Sequence, residues 1–195
     1  MITTKISAYL DSFASLKEAR AFLLEIKPFF NQELPSAKRS LHNIENSIVM
    51  KLARSLRAFE IDPSNQENIE VFAMVMEWSD CLDENTLSAI LEGEFFNKWM
   101  CVLYSWIHQE EVDLMEIVNW IDGWRSMFPP TLLDNQFIVK QFNRGWDIVN
   151  DVMDHTSLVD PAVLEKPITY LHVIQNRRIM ENEENLRQVS GLLKG

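Results

Sequence analysis

Four histidines (His42, His108, His155, His172), two cysteines (Cys81, Cys101) and the carboxylates Asp80, Asp83 and Glu84 are the residues whose types could hold a metal. Their spacing argues against it. No histidine lies three to five residues from another, and the cysteines stand twenty apart with no second pair, whereas a zinc site gathers four such ligands in close sequence pairs. The Asp80–Glu84 stretch lacks the alternating ligands and central glycine of a calcium loop. Carboxylates there suit the positive N-terminus of a helix. Glu110 and Glu111 are adjacent on a turn between helices, which is not how glycosidases oppose their two carboxylates. There is no G-x-S-x-G, no C-x-x-C and no glycine-rich phosphate loop in a chain with five glycines. The residues indicate a protein without catalytic groups, metal or cofactor.

The aromatic residues are the strongest local signal. Trp78, Phe95, Phe96, Trp99, Trp106, Trp120, Trp124 and Trp146 recur at helical spacing. Rings that stack on bases come interleaved with Lys and Arg. Here the neighbours are Glu and Asp, so the rings read as core. The net charge of -11 is unevenly spread. Residues 61–120 carry thirteen acidic side chains against one basic, Lys98, while residues 1–60 are mildly basic. Nucleic-acid affinity rests on neutralising phosphates with cations, so little or no direct nucleic-acid binding is expected. A basic protein partner would suit the acidic third, and so would a role in solubility alone. Two charged groups are candidates for partner contact: a basic stripe of Lys51, Arg54 and Arg57, and an acidic group of Glu110, Glu111 and Asp113. A solvated helix face is the competing reading of the stripe.

The elements that must position these residues are helices. Leu16, Ala19, Phe22, Leu23 and Ile26 follow a Ser15-x-x-Glu18 capping box, and Lys27-Pro28 is expected to stop or kink that helix. Leu41, Ile44, Ile48, Leu52 and Leu56 continue the period. Asp62-Pro63 reads as a cap followed by Pro at the first helical position, with Ser64-x-x-Glu67 as an alternative start. A short helix over Thr86–Leu91 is expected to break near Gly93. Phe95 to Ile107 is apolar nearly all round and reads as a central helix, too short to span a bilayer. Asp113-x-x-Glu116 opens the next helix and Pro129-Pro130 ends it. Asn135–Met153 follows, Asp160-Pro161 is a further cap signal, and Lys166-Pro167 leads into a last helix through Tyr170, Leu171, Ile174 and Ile179. The polar run beyond Met180 is expected to protrude or fray. No strand alternation or hairpin signal occurs. The expectation is an all-α fold of antiparallel helix pairs, a bundle or short solenoid. Residues 1–195 read as a single helical domain, with a basic part at 1–60, an aromatic acidic core part at 61–160 and a C-terminal helix at 161–195. Two cysteines and no apolar leader suit a reducing, intracellular setting.

Several strings carry a resemblance to a known family: V-M-E-W around Trp78, F-F-x-K-W from Phe95 to Trp99, V-L-x-S-W ending at Trp106, and above all E-I-x-x-W-x-x-G-W-x-S-M-F from Glu116 to Phe128. Phe142-Asn143 with Asp147-Ile148 continues it, and I-x-Y-L-x-x-x-x-x-R-R from Ile168 to Arg178 is a weaker echo. Over roughly residues 70–180 the chain resembles the carboxy-terminal helical domain of the septin-and-tuftelin-interacting protein family. That domain is also called GC-rich-sequence DNA-binding-factor-like, and its owners are G-patch factors of spliceosome disassembly. Residues 1–60 show no clear match, and Pro129-Pro130 departs from the polar residues expected after S-M-F. Within the matched strings Trp78, Trp99, Trp106, Trp120, Trp124, Phe128 and Trp146 are expected as structural core, with Gly123 permitting a close helix approach.

The resemblance implies a nuclear, non-catalytic docking platform that anchors a G-patch activator of a DEAH-box RNA helicase on the intron-lariat spliceosome. Its implied partners are helical-repeat spliceosomal proteins and the family's co-factor. The helicase would be reached only through a G-patch, which this chain lacks, and no membrane contact is implied. A nucleic-acid-binding module, as the domain name suggests, and a helical adaptor unrelated to splicing are the alternatives.

Overall fold

The computed structural model describes residues 16–30, 35–66, 69–154 and 168–192, and among these every regular element is helical. In chain order they are α1 (Leu16–Phe30), α2 (Pro35–Ala58), α3 (Ile69–Met76) with a 3-10 turn over Glu77–Asp80, α4 (Glu84–Leu91), a π-turn (Glu92–Phe96), α5 (Asn97–Ile107), α6 (Leu114–Ser126), the single turn α7 (Pro130–Leu133), α8 (Gln136–Met153) and α9 (Tyr170–Leu192). The all-α expectation holds. Ser15, His155, Glu67, Asp160-Pro161 and Lys166-Pro167 lie outside the described residues.

Polar side chains set several starts. Asp83 accepts the Thr86 N–H at 2.9 Å, Asp113 that of Met115 at 2.8 Å and Asn135 that of Phe137 at 3.1 Å. Each satisfies a backbone donor that the first turn leaves without an intrahelical partner. Asp62 behaves differently. Its carboxylate accepts from the N–H and Oγ of Ser64, and Gln66 folds back onto Asp62 N–H and the Glu60 carbonyl. These bonds close a turn on itself instead of starting a helix, and α3 begins at Ile69. Nor does Pro28 stop α1, which runs on to Phe30.

The expected break at Gly93 is absent. Helix runs without interruption from Glu84 to Ile107, widened by the π-turn, which admits an extra residue. A side chain at Gly93 would place Cβ 2.4 Å from the Tyr170 nitrogen and 2.5 Å from the Thr169 carbonyl carbon. The missing Cβ thus lets the start of α9 lie directly on the π-turn. The α4–α5 run is central: α2, α8 and α9 pack on it, with α6 and α7 against its two halves.

The core is aromatic. Phe72, Phe95, Phe96, Trp99, Trp124, Phe128 and Phe142 are buried and meet mostly edge to face or tilted, as ring quadrupoles favour. Trp78 is also fully buried. Trp106, Trp120 and Trp146 are half-buried at its margin, because α5, α6 and α8 present them on flanks that face water on one side. Trp120 stacks flat on Trp99, with centroids 5.4 Å apart. A Cβ at Gly123 would meet nothing within 4 Å, so this glycine permits no close approach. Gly145 does that work: a Cβ there would sit 2.6 Å from the Trp99 ring.

Candidate docking surface

Among the described residues no three His, Cys, Asp or Glu side chains converge on a point that could hold a metal. His42 is exposed on α2. The His108 ring stacks on Tyr104 and His172 pairs with Thr169 at the start of α9. Cys81 is buried against Asp80, and burial pushes its thiol up to about 11. Asp80 in turn holds Arg20 of α1, whose Nε also donates to the Glu77 carbonyl at 3.1 Å. These polar groups fasten helices together.

The structure divides the basic stripe. Arg54 is exposed, with no carboxylate partner among the described residues, and Lys51 is half-buried. Arg57 makes a two-point ion pair with Glu94 of the π-turn, at 2.9 and 2.7 Å. This raises the Arg57 pKa further, through the hydrogen bond first and the charge second. Glu94, 4% exposed, also accepts the Tyr170 N–H at 2.9 Å. Arg57 therefore holds α2, the π-turn and α9 in register. Glu110 and Glu111 are exposed in the α5–α6 turn, whereas Asp113 is occupied as the α6 cap.

Two further cations tie helices together. Lys98 donates from Nζ to the carbonyls of Leu56 at 2.5 Å, Arg57 at 3.1 Å and Phe59, closing the C-terminal end of α2. Burial lowers its pKa to about 8, against the pull of Glu94 and Glu60. Its isolation as the one cation of residues 61–120 was the available signal. Arg177 donates to Asn85 O at 2.9 Å, Ser88 Oγ at 3.1 Å and Glu92 at 2.7 Å while lying 3.5 Å from the Phe137 ring centroid. Of the paired arginines, Arg177 clamps α9 to α4 and α8, and Arg178 faces water.

That clamp leaves the other side of α9 open. Val173 is buried, but Leu171 is 58% exposed, Ile179 48% and Leu186 70%. The helix projects past Met180 with its described side chains exposed, so the polar run protrudes as helix. Between α2 and α9 lies a groove of about 560 Å³ with Val49, Met50, Leu171 and Ile174 among its lining and Arg178 on its wall.

Fold and surface together define a class: an all-α domain with an aromatic core, helices tied by polar clamps, and an open interhelical groove. The chain belongs to the GC-rich sequence DNA-binding factor-like protein family, whose model matches residues 1–103. The match includes the first sixty residues, which carry none of the strings quoted for the resemblance. A G-patch domain-containing protein of Schizosaccharomyces pombe is 31% identical over 127 residues, 65% of this chain. Tuftelin-interacting protein 11 of Xenopus tropicalis is 33% identical and that of Rattus norvegicus 32%, each over 139 residues, 70% of this chain. The chain spans 16% of the length of each of these relatives.

Proposed function

We propose that this chain is a non-catalytic protein–protein docking platform of a nuclear pre-mRNA splicing factor, acting in disassembly of the intron-lariat spliceosome. The observation that carries the reading is its family membership together with a G-patch protein among its relatives. In the family resemblance, the G-patch stimulates a DEAH-box helicase and the helical domain anchors the factor on helical-repeat spliceosomal proteins and the co-factor. The physical features support a platform. The polar clamps rigidify the helices, and a rigid surface loses little entropy on binding. Direct nucleic-acid binding is weak on this reading, since the acidic third of the chain repels phosphate. Affinity purification of the tagged chain from nuclear extract tests it. Recovery of late spliceosomal proteins with lariat RNA is the expected result. Recovery of membrane-traffic or septin proteins alone would replace it with an adaptor outside splicing.

A further inference from the structure

We infer that the α2–α9 groove receives an acidic amphipathic helix of a partner protein; this deepens the docking reading and rests on it. The groove carries apolar side chains on both walls, Val49 and Met50 on one side and Leu171, Ile174 and Ile179 on the other. It is walled by two helices and bordered by no strand, the geometry in which a third helix seats its side chains between existing ridges. Leu171 is mostly exposed although it lies two residues from buried Val173, so the apolar surface here is uncovered by the described residues.

Charge selects the occupant. In a chain of net charge -11 the groove lining contains no carboxylate, and its single charged side chain is Arg178. Arg54 lies one turn beyond Met50 and Arg39 two turns before Asn46, which puts exposed cations toward both ends of the α2 wall. None of the three arginines pairs with a carboxylate among the described residues. The other polar lining groups are the neutral amides Asn46, Gln175 and Asn182 and the Tyr170 phenol, able to serve a ligand's backbone or side chains. Acidic residues flanking an apolar stripe complete this surface, and a basic helix would meet Arg178 unfavourably.

The test uses the full chain and two synthetic amphipathic helical peptides with the same leucine stripe, one flanked by Glu and the other by Lys, read by fluorescence anisotropy. The acidic peptide should bind, more tightly at low salt than at high. Arg178→Glu should weaken it by roughly tenfold or more at low salt. Leu171→Ser, at an exposed position that leaves the melting temperature unchanged, should weaken it at both salts. Equal binding of the two peptides, or parental affinity in both variants, overturns the inference. So does a concentration-dependent dimer in light scattering that Leu171→Ser abolishes, since a second copy would then be the occupant. Nuclear-extract purification separates this from the platform reading. If the variants recover spliceosomal proteins as the parent does, the groove assignment fails alone. If the parent recovers none, the platform reading fails while the peptide data still decide the groove.

Discussion

The Glu94 carboxylate, inside the π-turn, accepts the backbone N–H of Tyr170 at the first turn of α9. It is an N-terminal cap supplied from a distant helix, with the same carboxylate gripping Arg57. A negative charge at that point also suits the positive end of the α9 dipole. Glu94→Ala leaves the Tyr170 N–H without its acceptor and Arg57 without its partner. The expected cost is about 1–3 kcal/mol, reduced from the value for a fully buried pair because Arg57 is half exposed to water. Hydrogen exchange should accelerate first at residues 170–176. Uniform acceleration across α5 and α9 alike would show that Glu94 does not act through the cap.

The three described contexts of glycine predict opposite outcomes for one substitution. Gly93→Ala forces the π-turn away from the Tyr170 backbone, and Gly145→Ala drives a methyl into the Trp99 ring. Both should destabilise by about 1–3 kcal/mol, the usual cost of overpacking. Gly123→Ala, mid-helix with open space around it, should stabilise by about 0.5–1 kcal/mol. Thermal melts of the three variants check the order. A destabilised Gly123→Ala would contradict the open space.

How much of this was legible in the chain follows the range of each interaction. Asp113, Asn135 and the apolar run Phe95–Ile107 act within one helix, so their spacing announces them. Gly123 sits between two conspicuous tryptophans, yet the close approaches fall at Gly93 and Gly145, because what faces a glycine is decided by a helix far along the chain. Arg57 looked like a free member of a stripe for the same reason: Glu94 is 37 residues away. Asp62-Pro63 has the composition of a helix start, but Gln66 supplies competing bonds that finish the turn locally.

The basic stripe should therefore respond in two ways. Arg57→Glu sets a second carboxylate against buried Glu94 and lowers the melting temperature, whereas Arg54→Glu leaves it within a degree or so of the parent. Partner pull-down read on Arg54→Glu alone reports docking without a folding defect. If Arg57→Glu melts with the parent, the Arg57–Glu94 pair carries no stability.

Trp120 tests the aromatic core at its margin. It is half-buried, but its indole lies flat on fully buried Trp99 and edge-on to Trp106 and Trp124. Trp120→Ala uncovers the Trp99 ring and should cost about 3 kcal/mol, with Trp124→Ala nearer 5 kcal/mol because that ring is enclosed. Chemical denaturation of both variants gives the comparison, and a Trp120→Ala protein as stable as the parent would remove Trp120 from the core.

Lys98 gives the fold a pH signature of definite sign. Its ordinary value is 10.5 and burial brings it to about 8 in the native chain. Below pH 8 the ammonium is charged in both native and unfolded states, so it contributes no slope. Between pH 8 and 10.5 the unfolded chain holds the proton that the native chain has released, and stability rises with pH through this group. The neutral amine keeps two donors for the carbonyls at the end of α2, so the cap survives the loss of charge. Cys81 works in the opposite direction, since its raised thiol pKa makes the native state hold a proton that the unfolded state loses above its ordinary value. Comparison with Lys98→Met cancels that term. Melting temperatures across pH 7–10 should show the parent gaining on Lys98→Met above pH 8 and running parallel to it below. Curves that stay parallel throughout would mean that Lys98 keeps its ordinary pKa in the folded chain.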